Sequence, residues 1–430
     1  MSSKKMTCVV IGCGDRGMRV YAGMDQKYPD RMQVVACADP DPDKIAKMQR
    51  EHGVAPEMCF KNGEELLAKG KLADVAIIAT LDKDHYKYAI PAMKMGYHLL
   101  LEKPVSPIAS ECVEIAETAK KYDRHVVVCH VLRYTPFYRK VKEVIDSGVI
   151  GEVVNIQAVE PVGYWHQAHS FVRGNWRNSI ETSPMIMQKC CHDFDIFVWL
   201  TGKKCKKVSS FGSIHEFKAE KAPEGATKRC LDGCPYFETC PFSVKKIYMD
   251  RLAEGHTDWP VSVVCTDATE EKLDKALREG PYGRCVYYCD NDVVDHQVVN
   301  MLMEDDSTIN FTMCAFNRDM DRRITVMGTK GMIYGDIGKE TVDVRVFGTT
   351  DYDRINVAEN MDDDSGHSGG DIGLMKDFID LITEGKVASG ITSVDVSLES
   401  HYIALAAEES RVNEGKVVDL SEFVANSLKQ

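Results

Sequence analysis

The chain has 430 residues, 44% of them hydrophobic and 28% charged. This ordinary globular usage supports two or three domains with real cores and excludes a disordered tail, a collagen-like chain and a small disulfide scaffold. Fifty-three Lys and Arg face 66 Asp and Glu, a formal net charge of −13. That argues against nucleic acid or an anionic membrane as a partner, because phosphate surfaces need a cationic face. No apolar run approaches the roughly 18 residues of a membrane helix. The opening MSSKKMTCVVIGCG leads straight into a strand-like run rather than a signal peptide, so the expected location is cytoplasmic. Of the 16 cysteines, Cys8, Cys37, Cys129 and Cys314 lie in apolar runs and read as small, reduced hydrophobes.

The first 130 residues alternate strand and helix signals. Apolar runs at 6–11, 33–38 (QVVACA), 74–80 (DVAIIAT), 97–101 (YHLLL) and 125–129 (HVVVC) predict strands. Helices are expected between them. One covers 43–50, capped by Asp41 or Asp43. Another covers 107–122, with Ser106 as N-cap and Pro107 in the first turn. Near-continuous apolar strands separated by helices imply a doubly wound parallel sheet over residues 1–131.

From about 132 to 430 the pattern predicts an α+β domain with a large, mostly antiparallel open sheet. A helix over 136–147 stops at Gly148, and a strand follows at 153–159. Further strands are expected at 293–303, 308–316 and 323–327, joined or followed by EDDS, GTKG and GDIG turns. The lysines of KKCKK at 203–207 read as a solvated turn. Residues 219–290 form an insertion rich in Cys, Pro and charge. Residues 361–371 form a Gly- and Asp-rich loop, and helices at about 371–384 and 395–413 close the chain.

Gly12, Gly14 and Gly17, with Asp15 and Arg16 between them, fit G-x-G-x-x-G between a strand and a helical segment. In that context the glycines let backbone N–H groups approach a pyrophosphate, and Arg16 is a candidate contact to it. The other reading is a glycine turn that binds nothing. Asp39 ends the second strand, 27 positions after Gly12. Its carboxylate can accept from the ribose hydroxyls of adenosine and would repel a 2′-phosphate, which favours NAD over NADP. Lys103, between Glu102 and Pro104, lies at the carboxyl end of the fourth run, where such sheets bind ligands. Residues 188–199 read as one helix, with Gln188, Lys189, His192 and Asp195 on one face, so that Asp195 and Lys189 can both reach His192. A polar quartet in an apolar helix is costly unless it lines a site.

Together these features carry a resemblance: the glycine motif, Asp39, Thr80 with His85 five residues on, the Glu102-Lys103-Pro104 tripeptide, and His192 with Asp195 on a later helix. Arg133-Tyr134-Thr135-Pro136 and GVIGEV at 148–153 extend it. The chain resembles the Gfo/Idh/MocA oxidoreductases, the family of glucose–fructose oxidoreductase and inositol dehydrogenase. The resemblance implies a Rossmann domain, oxidation or reduction of a secondary alcohol on a sugar or cyclitol, and oligomer contacts through the open sheet (a dimer or tetramer). It assigns Lys103 as the catalytic-site lysine and His192 as the acid/base. It extends the cofactor set to Thr80, His85 and Glu102. Many members carry Asp four residues before the histidine, where this chain has Gln188, so either Asp195 alone orients His192 or Lys189 takes a direct part.

Weaker candidates for substrate contact are Tyr164, Trp165, His166, Trp176 and Arg177, which gather aromatics and donors before the catalytic helix. His367 and one of Asp295 and His296 are further candidates. Cys230-x3-Cys234-x5-Cys240 has the short spacing of thiolate ligands for a structural zinc or iron–sulfur centre, or of free thiols. The alternative to a dehydrogenase is a glycosidase that oxidises, eliminates and reduces while recycling NAD in place, with Tyr164, His166 or His367 as the extra base.

Overall fold

The computed structural model describes residues 5–358 and 367–429. Positions 361–366 of the expected Gly- and Asp-rich loop lie outside the described residues.

Six strands form the first sheet: β1 (Met6–Ile11), β2 (Met32–Ala38), β3 (Cys59–Phe60), β4 (Val75–Ile78), β5 (His98–Leu101) and β6 (Val126–Val128). All pair in parallel, in the order β3-β2-β1-β4-β5-β6. This is the doubly wound order, whose ligand crevice lies outside the carboxyl ends of β1 and β4 where the winding reverses. The reason is legible in the chain: Val75, Ala76, Ile77 and Ile78 are all fully buried, as a strand covered on both faces requires. The Pro42–His52 helix is capped by Asp41, whose side chain accepts from the Asp43 N–H. The helix expected from Pro107 starts at Ala109 instead. Ser106 Oγ accepts from the Ile108 N–H at 3.1 Å, which makes 106–108 a turn ahead of the helix.

The second sheet has nine strands: β7 (Val153–Pro161), β8 (Cys205–Ser213), β9 (His296–Met303), β10 (Thr308–Cys314), β11 (Arg323–Gly328), β12 (Gly331–Asp336), β13 (Thr341–Val346), β14 (Asp353–Asn356) and β15 (Val418–Asp419). The order is β14-β13-β12-β11-β7-β10-β9-β8-β15. Only β7 and β10 pair in parallel; the other pairs are antiparallel. The KKCKK segment expected as a turn instead enters a strand. Cys205 opens β8 and is buried with Val208 and Ser210, while Lys206 and Lys207 stay in water beside a register shift. The lysines are solvated, but the backbone is a strand.

Two returns of the chain join the halves. The Gly370–Glu384 helix packs Ile372, Met375, Phe378 and Ile379 against Met6, Val10 and Met32 of the first sheet. The Val394–Val412 helix lies on β8 and on the Cys191–Thr201 helix of the second unit. The insertion packs Phe242, Val244, Ile247, Tyr248, Leu273 and Leu277 in one cluster with Ala168, Val172, Phe217 and Ala315 from outside it.

Candidate active site

A cavity of about 1490 Å³ lies in the crevice between the sheets. That exceeds the 300–1,000 Å³ of a typical small-molecule site and has room for a dinucleotide beside a second ligand. Gly12, Gly14, Asp15, Arg16, Asp39, Thr80, Glu102, Lys103, Lys189 and His192 all line it.

The glycine turn is built for close approach. Gly12 has φ +93°, and a Cβ there would lie 2.6 Å from the Ala79 carbonyl oxygen. A Cβ on Gly17 would lie 2.0 Å from the Gly12 carbonyl oxygen, so Gly17 serves packing behind the cavity wall. A Cβ on Gly14 would meet nothing within 4 Å. It would occupy the open space beside the first turn of the Asp15–Ala22 helical segment, where unpaired N–H groups can donate to phosphate oxygens. The turn therefore fits NAD. Asp39 is 6% exposed and fixes the turn: its carboxylate accepts from Cys13 N–H at 2.8 Å and Asp41 N–H at 2.9 Å. A carboxylate has about four acceptor sites, so capacity remains for ribose hydroxyls.

Arg16 is not free for a pyrophosphate. Its guanidinium is held by Glu102 and Asp371, each at 2.7 Å, and lies over the Tyr21 ring. Burial pushes the Glu102 carboxyl up, but Arg16 and Lys103 outweigh it and hold it below its usual range. His85 also departs from a cofactor contact. It is fully buried behind the wall, with Nδ1 2.7 Å from the Pro104 carbonyl oxygen and Nε2 3.2 Å from that of Thr80. It therefore ties the two cavity-lining loops together.

Lys103 Nζ donates to the Gln188 carbonyl oxygen at 2.7 Å. At that point the expected helix is broken: Met185–Gln188 ends, Lys189 and Cys190 intervene, and Cys191–Thr201 begins. The quartet on one helix face does not exist. Asp195, expected to orient His192, pairs with Arg133 instead, with both carboxylate oxygens at 2.6 Å from guanidinium nitrogens. Asp193 instead binds Arg322 at 2.8 Å, and Arg322 also pairs with Glu160. Lys189 pairs with Glu160 at 3.4 Å. Burial pulls the Lys189 ammonium down, with Glu160 opposing.

His192 is 5% exposed, and its Nδ1 has no hydrogen-bond partner among the described residues. Burial is the main force holding it well below the ordinary histidine range, and the charge of Lys103 adds to it. Burial thus favours the neutral form of its imidazole. The rings of His130 and His367 stand 5.6 and 6.2 Å from it.

The opposite wall is aromatic, formed by His166, His169, Trp176, Trp259 and Tyr282. Trp176 Nε1 donates to Asp82 at 3.0 Å. Three expected contacts fall elsewhere. Tyr164 and Trp165 do not line the cavity; Trp165 packs behind Trp259 at 4.8 Å. Arg177 turns out to Asp290 at 2.9 Å and Glu181 at 3.1 Å. His367 does line the cavity, with Nδ1 3.1 Å from Asp371. Asp295 and His296 bond each other at 2.8 Å, and neither reaches the cavity. Sequence reasoning missed Trp259, His169, Glu160 and Arg322, which come from distant segments and match no local motif. Among the described residues no group of three or more His, Cys, Asp or Glu stands at the spacing of one coordinated ion, and the cysteines are free thiols.

Comparison with known proteins agrees with this geometry. Residues 6–130 match the oxidoreductase family's NAD-binding Rossmann fold, and residues 142–417 match its C-terminal alpha/beta domain. The chain belongs to the Gfo/Idh/MocA oxidoreductase family. It is an NAD-linked oxidoreductase. Among curated relatives, the YteT oxidoreductase of Bacillus subtilis is 23% identical over 86% of this chain and 87% of its own length. An inositol 2-dehydrogenase of Corynebacterium glutamicum is 25% identical over 48% of this chain and 57% of its own length. Among solved structures, a levoglucosan dehydrogenase in complex with NADH and L-sorbose superposes with a TM-score of 0.70 at 18% identity, covering 97% of this chain and 99% of that one. At that identity the last likeness concerns the fold alone. Among the described residues no helix is long and apolar enough to cross a membrane.

Proposed function

We propose that the protein transfers a hydride between a secondary alcohol of a sugar, glycoside or cyclitol and NAD, with His192 as the acid/base and Lys103 as the electrostatic partner at the reacting oxygen. The observation that carries this reading is that Lys103 and His192 face the same cavity as the glycine turn. The name of one curated relative, inositol 2-dehydrogenase, supports the substrate class.

Bound NAD supplies the hydride acceptor. The chain supplies the rest. His192, neutral in its buried setting, removes the hydroxyl proton. Lys103, positioned by the Gln188 carbonyl, donates to the oxygen as negative charge develops there. The aromatic wall of Trp176, Trp259 and Tyr282 offers an apolar face to a sugar ring. Asp39 selects NAD over NADP, because its buried carboxylate would repel a 2′-phosphate.

The test is a panel of sugars, glycosides and cyclitols with NAD, read both at the nicotinamide absorbance band and for released aglycone. Stoichiometric NADH supports the dehydrogenase. Release of aglycone without net NADH supports the recycling glycosidase, a second reading favoured by His166, which lines the cavity with a buried, unpartnered Nδ1 among the described residues. His192→Ala loses about 10²–10⁴-fold in kcat, the usual worth of general-base help, with NAD affinity near wild type. Activity within a few-fold of wild type removes His192 from the role. Lys103→Met tests the competing assignment, in which the lysine is the base.

We also infer a homo-oligomer joined through the open face of the nine-stranded sheet, where Phe211, Val298 and Tyr334 are exposed. Light scattering on wild type and Val298→Asp tests it. A monomeric wild type refutes it.

A further inference from the structure

An acid/base histidine needs a partner that fixes its tautomer. A neutral imidazole has one donor and one acceptor nitrogen, so a ring that takes the substrate proton on Nε2 must already carry its own proton on Nδ1. The Nδ1 of His192 is buried without a partner among the described residues, while the ring lines the cavity. The nearby carboxylates are engaged elsewhere. Asp195 is held by Arg133, Asp193 by Arg322, and Glu160 pairs with Lys189 and Arg322.

His130 stands beside that ring. It lies two residues past β6, is fully buried, and neither of its ring nitrogens has a partner among the described residues. An imidazole so deeply buried is costly unless its polar atoms are used. The two rings are 5.6 Å apart between centroids, with their planes at 80°. Imidazoles joined by an N–H···N bond of about 3.0 Å have centroids about 5.3 Å apart, because each nitrogen lies about 1.2 Å from its ring centre. A turn of either ring about χ2, a soft torsion in histidine, closes the difference.

The other polar groups around His130 are committed. His401 also stands 5.6 Å away, but its Nε2 accepts from Val105 N–H at 2.8 Å and its Nδ1 donates to the Ser397 carbonyl at 2.7 Å. Arg133 binds both oxygens of Asp195. Glu102 accepts from Arg16, Tyr21 and the Lys103 N–H, and the Lys103 ammonium donates to Gln188. On the far side of His192, Arg322 is held by Asp193 and His367 by Asp371.

Resting on the acid/base reading of His192, we propose that His130 is its positioning residue: a His130 nitrogen accepts the His192 Nδ1 proton and leaves Nε2 bare toward the substrate. When His192 takes the hydroxyl proton, the same lone pair holds the imidazolium in place. No proton passes to His130. An imidazole from the end of the first sheet thus does what the spacing on an ideal helix assigned to Asp195.

The decisive variant is His130→Phe, which keeps a ring of similar size and removes both nitrogens. The proposal expects kcat to fall about 10- to 100-fold, short of the full loss of a general base. NAD affinity stays near wild type. The urea midpoint holds or rises, because two unpaired buried nitrogens are gone. His130→Asn and His130→Gln each return a carbonyl acceptor, and the one that reaches Nδ1 recovers part of the rate. The double variant His192→Ala/His130→Phe is no slower than His192→Ala alone. Nitrogen-15 correlation spectra of histidine-labelled, NAD-bound protein need no substrate. With the His192 signal assigned by its loss in His192→Ala, they show the Nδ1–H tautomer in wild type and its loss in His130→Phe. Activity within a few-fold of wild type in folded His130→Phe overturns the proposal. So does an additive loss in the double variant, an Nε2–H tautomer in wild type, or a joint fall of kcat and urea midpoint with the tautomer unchanged. Retained activity in His192→Ala sinks the acid/base reading instead, and the tautomer spectra still decide whether the two rings are bonded.

Discussion

Asp195 separates a catalytic from a structural reading of the polar residues around His192. Its carboxylate is 1% exposed and bound at both oxygens by Arg133, itself 3% exposed and stacked near Trp199. Asp195→Ala leaves that guanidinium buried without a counter-ion. Breaking a buried pair from one side costs about 3–5 kcal/mol. Removing both charges is far milder, so Arg133→Met/Asp195→Ala should recover most of the loss. Urea unfolding followed by tryptophan fluorescence on the four members of this cycle measures both quantities. Under native conditions the folded Asp195→Ala fraction should keep the wild-type pH dependence of kcat, because Asp195 does not touch His192. Loss within about 1 kcal/mol of wild type, or a collapse of kcat with stability intact, refutes this account and returns Asp195 to the acid/base.

Further outcomes follow from the same geometry. Asp39→Ser should weaken NAD and raise the NADP to NAD ratio of kcat/KM by about tenfold or more, the worth of roughly 1.4 kcal/mol; an unchanged ratio would remove Asp39 from cofactor choice. Acid stability carries a histidine signature. Burial holds His98 at about 4, aided by Arg124, and holds His401 and His169 at about 3. The unfolded chain protonates these groups near 6.5, so stability is full above that pH and declines as pH falls toward 4 and then 3. Urea midpoints across pH 4–7 check this, and His401→Gln should flatten part of the slope. Trp259→Ala should raise the KM for a sugar substrate more than it lowers kcat, if the ring serves as a platform; a fall in kcat alone would place it elsewhere.

The first sheet was legible because its strands are runs of Val, Ile, Leu and Cys buried on both faces, and five of the six are visible in the chain. β3 was not, because two residues carry no period. The glycine turn, Asp39, Lys103 and His192 were legible from local context, and the cavity brings them together. The helix break at Lys189–Cys190 was not, since neither residue is a helix breaker and the Gln188 carbonyl is claimed by Lys103, far away in the chain. Partner choice failed for the same reason. Nothing within Asp195's own segment announces Arg133, and nothing near Asp193 announces Arg322. Spacing on an ideal helix supplied a nearer partner, and long-range pairing overrode it.

The return of the Gly370–Glu384 helix to the first sheet bears on where the chain can be cut. Met6, Val10 and Met32, from the first strands of the chain, share one buried cluster with Phe378 and Ile379, more than 340 residues further on. Cutting the protein at the junction of its two sheets would leave Met6, Val10 and Met32 without that cover.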